Sequence, residues 1–320
     1  MNKNSNSLLP NRREFVKQST MAGAAVALTG SRLQGSTNEY GPLCVFSKHL
    51  HWLDCDAAAQ TAAAIGFQGL DLTVRKAGHV APENVERDLP KAVAAAQKAG
   101  ITIATITTEI ADAKDPLQQK VLRTAAGLGI SHYRMAWLRY DEALNIRGNL
   151  QRFRKQLEAL AELNEKVGIR GAYQNHAGAR LGSPVWDIAE LLDAIHSPWL
   201  GCQYDIHHAT IEGANSWPLG LKRVASHIHT IDIKDFHWAK INGKWRNQST
   251  PLGEGLVDLV GFFSLLKKLG VKKEMPITVF FEYDLGGAEN GAKQITVPQE
   301  KITAAMRKDL DCLKKVLESI

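Results

Sequence analysis

Lys166-Val167-Gly168-Ile169-Arg170-Gly171-Ala172-Tyr173-Gln174-Asn175-His176 joins the end of a helical stretch to a strand with a polar tip. Its glycine supplies the left-handed turn that ends a helix and sends the chain into the next strand. The same junction recurs at Ala64-Ile65-Gly66-Phe67, Lys98-Ala99-Gly100-Ile101, Gly127-Leu128-Gly129-Ile130 and Lys268-Leu269-Gly270-Val271. Five such joints predict repeated βα units and a parallel sheet. Strands are expected over Leu43–Ser47, Gly69–Thr73, Ile101–Thr107, Ser131–Ala136, Ile169–Asn175, Leu200–Asp205, Ile228–Lys234 and Ile277–Glu282. Helical spacing follows each, for example over Glu83–Ala99, where Leu89, Val93 and Ala96 share a face. Eight units without a glycine-rich phosphate loop after the first strand predict a single-domain α/β fold, a closed (β/α)8 TIM barrel, rather than a doubly wound sheet.

Composition agrees with one large soluble domain: of 320 residues, 44% are hydrophobic and 22% charged, enough apolar material for a continuous core. The formal charge of +6 sits mostly at the N-terminus. Residues 1–36 carry Lys3, Arg12, Arg13, Lys17 and Arg32 against Glu14, a net of +4, which leaves +2 for the remainder. A near-neutral body lacks the electrostatic footprint of a nucleic-acid binder. Cys44, Cys55, Cys202 and Cys312 form no CxxC pair, so neither a zinc knuckle nor a redox motif is expected.

The basic start has its own reading. Asn11-Arg12-Arg13-Glu14-Phe15-Val16-Lys17, followed by Met21-Ala22-Gly23-Ala24-Ala25-Val26-Ala27-Leu28, resembles a twin-arginine signal peptide over residues 1–36. The apolar run is far shorter than the ~20 residues of a membrane span, so no permanent anchor is expected. The resemblance implies the twin-arginine export machinery as a partner, folding before export, and a periplasmic location for the domain at 37–320.

Barrel enzymes carry their catalytic groups where strands end. Here the second strand runs into Asp71-Leu72-Thr73-Val74-Arg75, the third into Thr107-Thr108-Glu109, and the fourth into Arg134-Met135-Ala136-Trp137. The fifth ends Gln174-Asn175-His176, the sixth Asp205-Ile206-His207-His208, the seventh Asp232-Ile233-Lys234-Asp235, and the eighth Glu282-Tyr283. One such residue is usually a cap or a surface side chain, but packing does not require polar groups at seven consecutive strand ends. Two long excursions leave the same face. One carries Phe236-His237-Trp238, an Asn242-Gly243 hairpin turn and Trp245; the other runs from Leu285 to Pro298.

These strand ends resemble the xylose isomerase-like superfamily of sugar isomerases, epimerases and dehydratases over essentially the whole mature chain. In that superfamily the fifth strand ends Glu-Asn-His, the sixth Asp-x-x-His, the seventh His-x-Lys-Asp, and the eighth carries a Glu; the first-named groups hold one divalent cation. The resemblance implies a metal site of Gln174, Asp205, Asp232 and Glu282, with Mn²⁺ or Mg²⁺ favoured by the oxygen-rich set. Two of the four depart from the pattern: Gln174 replaces a carboxylate and Asp232 an imidazole. His176 is an alternative ligand, and a second alternative is that Lys234 fills the site with its own charge and no metal binds.

The chemistry implied is proton abstraction beside a carbonyl, with His176, His208, Glu282 and Lys234 as the catalytic set. Asp71, Arg75, Glu109, Arg134, Trp137, Trp238 and Asp235 are expected to contact a small unphosphorylated sugar, an oxidised keto-sugar among the options, through indole faces and charged side chains. Isomerisation, epimerisation and dehydration share the enediolate and remain open, as does a homo-oligomer. An abasic-site endonuclease, which shares the barrel, is disfavoured by the near-neutral body and the altered ligands. A catalytically silent carbohydrate-binding barrel is the alternative from another class.

Overall fold

The computed structural model describes residues 40–271 and 273–320; the signal peptide expected over residues 1–36 lies outside the described residues. The described part belongs to one unit, Asn38–Ile320. Its strands are β1 (Leu43–Phe46), β2 (Gly69–Thr73), β3 (Thr102–Thr107), β4 (His132–Arg134), β5 (Arg170–Gln174), β6 (Leu200–Asp205), β7 (Ile228–Ile233), β8 (Asp235–Ile241), β9 (Lys244–Thr250) and β10 (Ile277–Val279). All but β8 and β9 form a closed parallel barrel in the order β1-β10-β7-β6-β5-β4-β3-β2. Closure is made by β1, where Val45 lies opposite Val279 on one side and Leu70 on the other.

The helices α1 (Cys55–Ile65), α2 (Val85–Lys98), α3 (Pro116–Gly127), α4 (Ile146–Val167), α5 (Trp186–Ile195), α6 (Ile206–Gly213), α7 (Trp217–Val224), α8 (Leu259–Lys268) and α9 (Gln299–Glu318) cover the barrel. Side-chain oxygens of Asp54, Asp115, Asn145 and Asp258 accept first-turn N–H groups and start α1, α3, α4 and α8. The expected joints hold: Gly66, Gly100, Gly129, Gly168 and Gly270 all have φ between 67° and 110°. The helix expected over Glu83–Ala99 begins instead with a 3-10 turn at Pro82–Asn84 and is regular over Val85–Lys98. No described helix is long and apolar enough to cross a membrane.

Parallel strands covered on both faces usually read as continuous apolar runs. Here they alternate, because side chains of a strand point to opposite faces and the lumen is polar. In β6, Tyr204 stacks outward on Phe262 of α8, while Gln203 and Asp205 point inward to partners on β7 and β5. The outward faces join the helices in one core that includes Leu70, Leu72, Tyr133, Phe153, Tyr173, Tyr204, Phe262 and Phe263.

β8 and β9 leave the barrel as an antiparallel hairpin. Asn242 and Gly243 take φ of 50° and 77°, the two left-handed residues of a tight hairpin turn, as the Asn-Gly pair predicts. The fourth and eighth strands are shorter than expected, and Glu282 stands three residues beyond β10. For the eighth strand the reason is local: the Phe281 N–H is taken by His49 Nε2 at 3.1 Å instead of by a neighbouring strand.

Candidate active site

β5 and β6 end side by side and are locked together. Asn175 Nδ2 donates to the Asp205 carbonyl at 2.9 Å, and Asn175 Oδ1 accepts from the Asp205 N–H at 2.8 Å. This fixes Asp205, whose Oδ1 accepts the His208 N–H at 3.1 Å and starts α6. One cap thus sets both the carboxylate and the histidine on the first turn of the following helix.

Gln174 links three strands. Its Nε2 donates to Asp205 Oδ2 at 2.9 Å and to Asp232 Oδ2 at 2.7 Å, while its Oε1 accepts from Arg134 Nη1 at 3.1 Å. The other Asp232 oxygen accepts from Gln203 Nε2 at 2.6 Å. Burial, reinforced by the negative charges of Asp205 and Asp71, pushes the Asp232 carboxyl up.

Lys234, buried at the top of β7, stands at the middle of the cluster. Its Nζ lies 2.9 Å from His208 Nε2, 3.2 Å from Asp205 Oδ2 and 3.3 Å from Glu282 Oε2. Burial alone would lower this lysine, but Asp205, Glu282 and Asp232 outweigh it and hold the ammonium. Glu282, for which burial would do the reverse, is kept well below the usual carboxylate range by Lys234 and Lys48, the latter 3.2 Å from Oε1.

An ammonium only donates, so His208 Nε2 accepts and its proton is on Nδ1. His176 has the same tautomer for a different reason: Nδ1 faces the Ala177 carbonyl at 2.8 Å and must donate, which leaves the Nε2 lone pair free. The two rings lie 3.7 Å apart, and Trp137 closes on His176 at 4.6 Å. Arg134 and Arg180 each hold a guanidinium 4.8 Å from the Trp137 ring. Burial, then the Lys234 charge, lowers His176 to about 4, so its imidazole is neutral near pH 7.

The residues expected to hold a divalent cation do not fit one. Lys234 already spans the two carboxylates, Asp205 and Glu282, that match the metal pattern. Gln174 turns its N–H₂ toward Asp205 and Asp232 because Arg134 takes its oxygen, and both Asp232 oxygens accept amide N–H groups. A second cation within ~3 Å of the ammonium would meet strong repulsion beside the buried Asp205 and Lys234 side chains. Among the described residues no group of three or more His, Cys, Asp or Glu side chains is arranged to hold a metal ion.

Residues 59–315 match the family described as the xylose isomerase-like TIM barrel. The chain belongs to that family. Over 170 residues it is 26% identical to SgbU of Escherichia coli (strain K12), whose name provisionally assigns it as an L-ribulose-5-phosphate 3-epimerase; the match covers 52% of this chain and 57% of SgbU. The fold is shared with an L-ribulose 3-epimerase, at TM-score 0.66 and 13% identity over 87% of this chain and 95% of that one. It is also shared with the probable 3-DHS dehydratase AsbF of Bacillus anthracis, at TM-score 0.62 and 14% identity over 83% and 97%.

Within this xylose isomerase-like barrel, Gln174, Asp205, Asp232, Lys234, His208, Glu282 and Arg134 are joined by the contacts above, with His176 and Trp137 stacked beside them. Asp71 is nearby on β2, bonded by Thr107 Oγ1 at 2.8 Å and pushed up to about 6 by burial. Arg75 flanks it, 5.6 Å from the Phe46 ring. Glu109 is exposed and close enough to Arg75 for its charge to act on that guanidinium, and Trp238 lies out on the hairpin. Asp235 is corrected: its carboxylate accepts the N–H groups of Phe236, Gly253, Gly255 and Val257 at 2.8–3.0 Å, so it ties down the hairpin base instead of meeting substrate. Asp235→Ala is accordingly expected to lower stability by about 3 kcal/mol in urea unfolding, since four N–H donors, two of them fully buried, lose a charged acceptor. A change below about 0.5 kcal/mol would remove that structural role.

Lys48, Gln203 and Arg180 were not anticipated. Lys48 has a readable signal, the Ser47-Lys48-His49 tip of the first strand. Gln203 follows from strand alternation, two places before Asp205 on the same inward face. Arg180 lies in a loop, where spacing carries no such information.

Proposed function

We propose that the chain is a sugar isomerase, epimerase or dehydratase-type lyase that removes a proton α to a carbonyl at the barrel mouth. The Lys234 ammonium takes the electrostatic part that the family pattern gives to a divalent cation. The observation carrying this reading is that Lys234 Nζ sits between Asp205, Glu282 and His208, within 3.3 Å of each.

The substrate carbonyl oxygen lies against Lys234. His176 Nε2 takes the α-proton, the C–H electron pair becomes the enediolate C=C bond, and the former carbonyl oxygen receives the negative charge beside the ammonium. The imidazolium then returns its proton to carbon, or protonates a β-hydroxyl that leaves as water. His208 holds Lys234 in place through Nε2, which makes it a positioning residue. Glu282 keeps the lysine charged, and Arg134 with Trp137 forms the wall against which the ring packs.

The names borne by SgbU and by the L-ribulose 3-epimerase support sugar chemistry of this kind, and that of AsbF supports dehydration as one outcome on this fold. In this proposal the enzyme works in the periplasm, reached by the twin-arginine route, on an unphosphorylated sugar. The test is incubation with aldoses, ketoses, 3-keto-sugars and their phosphates in heavy water, with deuterium at the α-carbon read by NMR. Exchange with an unphosphorylated member is expected. Exchange confined to phosphates would overturn the substrate class, and sugar binding without any exchange would favour the silent barrel.

A further inference from the structure

We infer that the β8–β9 hairpin is an outer carbohydrate subsite, and that the substrate is a glycoside or oligosaccharide extending beyond one ring. This rests on the proposed sugar chemistry at Lys234. The hairpin begins at the residue after that lysine, so whatever it binds is continuous with the reacting group.

Register fixes the hairpin's two faces. Trp238 pairs with Asn247 and Lys240 with Trp245, so Phe236, Trp238 and Lys240 share a face with Trp245, Asn247 and Ser249. That face starts at the site. The His208 ring is 4.9 Å from His207, His207 is 4.7 Å from Phe236, and Phe236 is 5.7 Å from Trp238. A row of rings therefore runs from the partner of Lys234 onto the hairpin, first buried and then open to solvent. At ~3.4 Å per residue, Trp238 lies up to ~14 Å along the strand from Lys234 and the Lys240–Trp245 rung up to ~20 Å, further than one pyranose ring reaches.

The exposed end carries the groups that a sugar chain requires. Trp238 is 46% and Trp245 67% exposed, offering flat apolar faces for C–H-rich ring faces. Lys240, Asn247 and Ser249 lie on the same face and supply donors and acceptors for hydroxyls. A second copy of the chain fits less well. A stable protein interface buries ~800 Å² per partner, far more than two half-exposed indoles offer. The hairpin's other face is broken by Lys244, Arg246, His237 and Gln248.

The test uses the full chain and needs no turnover. Tetrasaccharides of glucose, mannose, galactose and xylose, with their monosaccharides, are titrated by intrinsic fluorescence and calorimetry. At least one tetrasaccharide is expected to bind about tenfold or more tighter than its monosaccharide, an advantage lost in Trp245→Ala and Trp238→Ala and largely kept in Trp245→Tyr. Monosaccharide affinity should not change in Trp245→Ala. If no tetrasaccharide is preferred, or the preference survives both alanine variants, the subsite is overturned; it is also overturned if Trp245→Ala changes only the sedimentation mass. A preference abolished by Trp245→Ala in a protein that exchanges no α-proton would leave the subsite standing and remove the proton-transfer reading instead.

Discussion

Lys234→Met is expected to cut α-proton exchange by ~10³-fold or more, the effect of removing the main electrostatic stabiliser of an oxyanion in a preorganised site. The enediolate oxygen would form without the ammonium beside it: Lys48 is paired with Glu282, and the Arg134 guanidinium is held at the pocket wall by Gln174 and Trp137. The same change strips Asp205 of its buried counter-charge, so stability should drop by about 3–5 kcal/mol in urea unfolding. Because an unfolded variant would mimic a catalytic defect, Lys234→Arg is the companion. It keeps the charge and the fold but moves the donors, and should retain stability while losing most of the rate. Full activity in folded Lys234→Met would remove the lysine from the mechanism.

His176→Gln is expected to lower exchange by ~10²–10⁴-fold, the usual contribution of a general base, with little change in sugar binding. Glutamine can still donate an N–H toward the Ala177 carbonyl, but it has no basic nitrogen to face the mouth. The pH profile checks the same assignment. Burial and the Lys234 charge lower the imidazole from 6.5 to about 4, so the neutral base is present above that value and is lost as pH falls through it. The acid limb of kcat/KM should therefore lie near pH 4, with no inflection at 6–7. A limb centred near 6.5 would mean that His176 is solvated, or that another histidine is the base.

Much of the barrel is readable in the residues. The glycine joints at 66, 100, 129, 168 and 270 announce helix ends because a left-handed residue is sterically cheap only there. Asn242-Gly243 announces the hairpin for the same reason. Strand ends are harder, since Phe280 and Phe281 continue an apolar run while hydrogen bonding passes from strand to side chain at His49. The site is legible as a list of polar strand tips, but the roles within it are not. Asp235 belongs to the same motif as Lys234, yet backbone direction sends one into the mouth and the other under the hairpin. Nor does spacing reveal that Arg134 takes the Gln174 oxygen, the contact that turns a possible ligand into a donor.

The central claim is that an ammonium, not a metal ion, balances the charge formed at the barrel mouth. It is tested most directly by measuring α-proton exchange before and after exhaustive dialysis against a chelator, with metal content followed by mass spectrometry. An unchanged rate in metal-free protein is the predicted result. A rate that vanishes with the metal and returns on adding Mn²⁺ or Mg²⁺ would contradict it.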